Sequence, residues 1–381
     1  MFKQNIKAFL EKINPNAVIR VKYVVDKTRA FALRLIAHSG FLCGFYYVVL
    51  DSSFRREQQA VVLGMLRHLN SDGEKAVSAL MRRNIHRIEK GLIMIPRKPI
   101  FGLDYISETI QSLEDYVDCK SGIIESHSDP ILDWAIDVLD TYFDLQENHP
   151  IVTNAQSHFN KIKTLYKLSS KTGDSSPKSF AQRCADSTRI AISDFEAFVH
   201  SRRSVRWYKK EKVDRCKVDR ALELAAQSPS ACNRQPFHYK IFDCGELLDA
   251  VRSMPGGTGG WANNIPMVIA VVGDLSSYFN ERDRHCIYID ASLSVMTFLY
   301  ALQCQGISSC TINWPDVSNL ERRAAKVLKL EKFERIIMLI AVGIADQEGL
   351  IPFSAKTSLN DFRMYGASSV ESISNLDNRS S

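Results

Sequence analysis

Two short segments constrain this chain more than anything else in it: Ser201-Arg-Arg-Ser-Val-Arg206 and Ser228-Pro-Ser-Ala-Cys-Asn-Arg-Gln-Pro-Phe237. The first sets three guanidinium groups, on Arg202, Arg203 and Arg206, close together and adds the hydroxyl of Ser204. Planar donors at that density match a phosphate monoester, whose oxygens an arginine fork can grip in pairs. Taken alone, the segment also reads as a solvated helix end or a nucleic-acid patch. In the second segment Pro229 and Pro236 stiffen a turn that carries Ser230, Ala231, Asn233 and Gln235. The two amide side chains hold paired donors and acceptors. An ordinary helix-to-strand loop accounts for the same residue types.

The order of parts narrows these readings. The basic motif is followed by an amphipathic stretch from Val213 to Gln227, with Val218, Leu222, Leu224 and Ala225 on its apolar side, then by the Pro-Ser-x-x-Asn-x-Gln-Pro turn and Tyr239-Lys-Ile-Phe242. In that order and spacing the chain resembles the nitroreductase family over about residues 195–365. The resemblance implies an α+β fold, a mixed sheet surrounded by helices, and FMN as cofactor with NAD(P)H as reductant. It also implies a small-molecule electron acceptor (a nitro compound, a quinone or a relative) and a homodimer with flavin sites at the subunit interface. On it, Arg202, Arg203, Ser204, Arg206, Pro229, Ser230, Ala231, Asn233 and Gln235 are expected to bind the flavin. The backbone around Asn313, in Cys310-Thr-Ile-Asn-Trp314, is expected near flavin N5, and Lys356 on the phosphate. The family often has a second basic residue two places after the lysine; here that position is Ser358, with Arg363 the nearest substitute. The flavin carries the redox chemistry, so no catalytic side chain and no metal are expected.

No Gly-x-Gly-x-x-Gly fingerprint is present, which argues against a dinucleotide fold and for donor and acceptor using one flavin face in turn, in ping-pong order. Gly256-Gly-Thr-Gly-Gly260 lacks the Lys-Ser/Thr of a phosphate loop and reads as a flexible lid segment, with Trp261 either an aromatic wall over a flavin face or a plain loop anchor. His238, His285 and Cys232 fall in no legible nucleophile–base order and read as structural. Nine cysteines, an odd number without a Cys-x-x-Cys pair, suggest neither a disulfide framework nor a zinc site and fit a reducing cytoplasm.

Residues 1–168 are expected to form a mainly helical domain of unassigned role, 169–179 a linker, 180–365 the flavin domain, and 366–381 a disordered tail. Apolar spacing of three and four predicts helices over 57–69, 75–90, 103–117 and 130–145, and a further helix over 180–199. Short apolar runs at 267–272, 309–312 and 335–342 predict strands. Ile289–Gln305 is apolar on nearly all faces and predicts a helix buried on all sides, which the family resemblance would place at a dimer interface.

Charge is unevenly spread. Residues 1–100 hold 18 Lys/Arg against 7 Asp/Glu, and 101–160 hold 1 against 12. Two complementary surfaces within the helical domain are the expected reason, with no nucleic acid required and peripheral membrane contact left open. The uncharged stretch Leu35–Leu50 is too short to span a bilayer and predicts a buried helix, or else a segment in a membrane interface. Phe2–Leu10 lacks the apolar core of a secretory signal. The alternative to an oxidoreductase is a flavin-binding or flavin-free interaction module whose basic helical half docks on a membrane or an enzyme complex.

Overall fold

The computed structural model describes residues 15–70, 73–124, 129–165 and 190–366. The linker expected at 169–179, residues 180–189 of the expected helix and nearly all of the expected tail lie outside the described residues.

The amino-terminal half is helical: α1 (Pro15–Ile36), α2 (Gly40–Phe45, continued by a π-helical turn Tyr46–Leu50), α3 (Arg55–Leu69), α4 (Glu74–Leu92), α5 (Ile106–Ile124), α6 (Pro130–Leu145) and α7 (Pro150–Leu165). Helices α4 to α7 share one core. On α4 the buried residues Val77, Met81, Ile85, Ile88 and Leu92 recur at the spacing of one helical face and meet Leu113, Ile136, Leu139 and Phe159. Asp129 starts α6, its carboxylate accepting the Ile131 and Leu132 N–H groups with Pro130 at the first helical position. The stretch Leu35–Leu50, expected to be buried, is not. No residue of Gly40–Leu50 is buried, and Phe41 is 81% exposed. Apolar composition alone does not bury a helix that joins none of the cores formed by the described residues.

The carboxy-terminal half contains α8 (Ile192–Ser201), α9 (Arg215–Ala225), β1 (Phe237–Phe242), α10 (Gly245–Arg252), β2 (Met267–Asp274), α11 (Cys286–Cys304), β3 (Ser308–Asn313), α12 (Ser318–Leu328), β4 (Glu334–Gly343) and α13 (Leu359–Phe362). The sheet runs β1-β2-β4-β3 with every neighbour antiparallel. Strand β2 is buried along its whole length, which is why its sequence is a continuous apolar run rather than an alternating one. Its residues still divide by face: Met267, Ile269 and Val271 pack with α9 and α11, whereas Val268, Ala270 and Val272 pack with α10 and α12. The parallel component of the mixed sheet comes from outside these strands, where Ser204 forms a parallel bridge with Ser309 on β3.

Helix α11, expected to be buried on all sides, is buried on all but one. Val295, Phe298 and Leu302 are in the core, while Ile289, Leu293 and Met296 form a solvent-facing stripe, 57%, 45% and 36% exposed.

The two halves share a smaller core. Ala60 and Val61 of α3 pack with Leu275, Tyr278, Ile287 and Phe333. Arg56 pairs with Asp316 at 2.5 Å and with the buried Glu321. Charges of the basic block face both the acidic block and the carboxy-terminal half. Arg87 meets Asp104 at 3.5 Å, but Arg56 and Lys75 pair with carboxylates of the carboxy-terminal half.

His238 sits in that junction, 3.3 Å from the Lys75 ammonium and 3.7 Å from Glu334. Burial first, and then the Lys75 charge, lower its pKa to about 4. A histidine whose folded pKa lies below its unfolded value contributes stability above pH 6.5, and this is lost as the pH falls toward 4. His238→Gln is expected to flatten the stability–pH curve in that window by up to roughly 3 kcal/mol. Urea unfolding at stepped pH measures it, and superimposable curves would remove the residue from the acid response.

Candidate functional site

The basic segment is held at the free edge of the sheet. After α8 ends at Ser201, the chain runs extended beside β3, with the Val205 N–H donating to Ser309 O at 3.1 Å. Val205 and Tyr208 point into the core, and the Tyr208 hydroxyl donates to Val205 O at 2.6 Å. Asn264 fixes the other side, its amide donating to Arg206 O at 2.8 Å. Alternation along this extended run leaves Ser204 and Arg206 on the face opposite Val205.

The three guanidinium groups have little to satisfy them. Arg203 donates to Arg202 O at 3.2 Å and Arg206 to Ser204 O at 3.4 Å, and Arg206 lies 5.9 Å from the Trp261 ring centre. Among the described residues none of Arg202, Arg203 or Arg206 forms an ion pair with a carboxylate. All three are half-buried. Concentrated positive charge at a sheet edge, without an acidic partner among the described residues, suits an anion. Burial raises the pKa of the neighbouring Cys310 thiol, and the charges of Arg206 and Arg202 pull it back down. Trp261 resolves as the loop anchor: it is 8% exposed, and its indole N–H donates to Gly257 O at 3.0 Å.

The second segment is a strained turn. Cys232, Asn233 and Gln235 all have positive φ, at 53°, 54° and 49°, a left-handed conformation that costs most residues other than glycine about 1–2 kcal/mol. The surroundings enforce it. Asp290 on α11 accepts the Ala231 N–H at 2.9 Å, and the Ser230 hydroxyl accepts the Gln235 N–H at 3.2 Å. Arg82 on α4 donates to Arg234 O at 2.6 Å. Pro229 is exposed, and Ser230, Ala231 and Asn233 are half-buried. Gln235 donates its amide to Asn233 Oδ1 at 3.0 Å and lines a cavity of about 750 Å³ between α4 and β1. The amides of Asn233 and Gln235 are thus bonded to each other.

Asn313 is exposed at the end of β3. Lys356 is exposed on the arm that follows β4, away from any ion pair among the described residues. Ser358, at the position of the missing basic residue, caps α13 by accepting the Asp361 N–H, and Arg363, the nearest substitute, stacks 4.5 Å from the Tyr365 ring.

The basic segment and the turn lie at opposite ends of α11. Ala231 is bonded to Asp290 near its start, and Ser201 accepts from Gln303 near its end at 3.3 Å. Thirteen residues of helix separate those two contacts by about 20 Å. The exposed stripe of Ile289, Leu293 and Met296 runs between them.

Residues 199–254 and 246–344 match the nitroreductase family model. The chain carries a nitroreductase-family domain. It is similar to the 4-nitrobenzoate reductase of Nocardioides sp. (strain LMS-CY), 52% identical over 48 residues, which is 13% of this chain and 19% of that protein. The match thus spans less than a fifth of that curated relative's length. Among solved structures, the FMN-dependent nitroreductase of Clostridium difficile R20291 is 21% identical, with a TM-score of 0.38, covering 45% of this chain and 98% of that one. A nitroreductase family protein of Streptococcus pneumoniae TIGR4 is 22% identical, with a TM-score of 0.39, covering 45% and 100%.

Several residues that shape the candidate site were not singled out by the sequence reading. Asp290 and Asn264 act by orienting backbone, and a lone Asp in an apolar helix is their only trace in sequence. Arg234 lies inside the motif and is 4% exposed, with Asp283 3.6 Å away and the Tyr278 ring 5.0 Å away. The helical half also reaches the site. Arg56 bonds Glu321, Glu321 accepts the Trp314 indole N–H, and Trp314 follows Asn313 directly. Nothing in the spacing of residues 56, 314 and 321 announces that chain.

Proposed function

We propose that this protein is an FMN-dependent oxidoreductase that passes reducing equivalents from NAD(P)H to a small organic acceptor. The observation that carries the reading is the cluster of Arg202, Arg203 and Arg206, three half-buried guanidinium groups without an acidic partner at the sheet edge of a nitroreductase-family domain. The residues present fit the cofactor. A phosphate monoester supplies the missing negative charge, and the strained turn at 229–236 supplies the side-chain amides of Asn233 and Gln235. Bound FMN would supply the hydride chemistry. The chain's part is to hold the phosphate on Arg202, Arg203 and Arg206, with Ser204 as an added donor, and to leave the end of β3 at Asn313 open for a substrate.

We assign the assembly as a homodimer on two observations. The basic segment and the turn lie at opposite ends of α11, and a two-fold pairing through the exposed stripe sets the turn of one copy opposite the basic segment of the other. The arm after β4 leaves Leu350, Phe353, Phe362 and Met364 more than 80% exposed, an apolar surface suited to a second copy.

Titration separates the phosphate from the ring. Arg206→Ala is expected to weaken FMN by about 1–3 kcal/mol, the worth of one charge-assisted hydrogen bond, and to leave riboflavin unchanged. Equal affinity for FMN and riboflavin in the parent protein would overturn the phosphate role. Initial rates with a quinone as acceptor are expected to give parallel double-reciprocal lines. A colourless protein that oxidises no NAD(P)H would leave the interaction-module reading in its place.

A further inference from the structure

We propose that α1 and α2 form an interfacial hook that holds this protein on an anionic membrane surface. Residues 1–36 contain eight Lys/Arg and two Asp/Glu, and the other 345 residues contain 41 of each sign. The whole net charge of +6 therefore resides in the first tenth of the chain. Arg20, Lys27 and Arg34 are exposed, and among the described residues they form no ion pair with a carboxylate. The basic helix is followed at once by Gly40-Phe-Leu-Cys-Gly-Phe-Tyr-Tyr-Val-Val-Leu50, which has no charged residue. Phe41, Phe45, Val48, Val49 and Leu50 are all more than 50% exposed there.

Those features fit one kind of partner. Basic residues beside a lipid surface contribute about 1 kcal/mol each when the headgroups are anionic, and apolar side chains next to them enter the acyl boundary. At 1.5 Å per residue the segment 40–50 is about 16 Å long, roughly half a hydrocarbon core, so it lies in or dips into one leaflet and does not cross. A second copy of the hook is a poor occupant because each carries the same excess positive charge. An RNA would use the charge and leave the aromatic residues unexplained.

Co-sedimentation of the full chain with vesicles tests this. Binding is expected to phosphatidylcholine vesicles containing phosphatidylglycerol, to fall sharply with phosphatidylcholine alone, and to weaken as salt rises from about 0.1 M to about 1 M. Lys27→Gln with Arg34→Gln is expected to lower the partition coefficient by about tenfold or more. Phe41→Ser with Phe45→Ser is expected to lower it even in low salt. All four side chains are exposed, so the melting temperature is expected to stay unchanged in both double variants. Equal recovery in the supernatant with both vesicle types would overturn the proposal. So would salt-sensitive binding to an RNA homopolymer without vesicle binding, or self-association that the Phe variants abolish while the vesicles stay bare.

Discussion

Gly64→Ala is expected to destabilise the fold by about 3 kcal/mol, at the upper end of what overpacking a close contact costs. A Cβ built on Gly64 would stand 2.7 Å from the carbonyl carbon and oxygen of Leu275, and backbone has no rotamer by which to yield. Helix α3 has little room to retreat, because Ala60 and Val61 are buried one turn before the contact, His68 one turn after it, and Arg56 is tied to Asp316 and Glu321. Urea unfolding of the full chain measures the loss. A change below about 0.5 kcal/mol, the size of an ordinary surface substitution, would mean that α3 does not dock as described. The substitution also reaches the site. Shifting α3 disturbs Arg56, and with it Glu321 and the Trp314 indole beside Asn313. The helical half is on this ground part of the working structure, and a fragment lacking it would expose Leu275, Tyr278, Ile287 and Phe333.

The sequence disclosed those features that depend on local period or local chemistry. Helices α3, α4 and α6 and strands β2, β3 and β4 fall within a few residues of their apolar patterns, because each buries a face whose repeat is 3.6 or 2 residues. The basic segment and the turn were visible for a different reason: charge density and proline-framed amides are rare combinations. What stayed hidden depends on partners distant in sequence. Leu35–Leu50 and the stripe on α11 are as apolar as core helices, and only their exposure among the described residues distinguishes them. Trp261 next to a glycine run suggested a lid, but its indole is buried and bonded to Gly257 O. Arg56 and Glu321 are separated by most of the chain, so their pairing beneath Trp314 is a product of the fold alone.

Leu293→Asp is expected to do two things together: turn a dimer into a monomer and lower FMN affinity about 100-fold or more. Leu293 is 45% exposed in the middle of the stripe on α11, so the carboxylate meets water in the free protomer and costs the fold little. In a two-fold interface it would face apolar side chains of the second copy with its charge unpaired, which associating surfaces do not tolerate. Loss of the partner also removes the turn at 229–236 from the opposite basic segment. The expected drop, about 2.7 kcal/mol, corresponds to two or three hydrogen bonds between neutral groups. Arg206→Ala is the control that separates assembly from cofactor, since it leaves the stripe intact and is expected to remain dimeric with weakened FMN. Sedimentation velocity and flavin fluorescence on the same samples read both quantities. A Leu293→Asp monomer that keeps the parent affinity would place the entire flavin site within one protomer and leave the stripe on α11 without a part in cofactor binding.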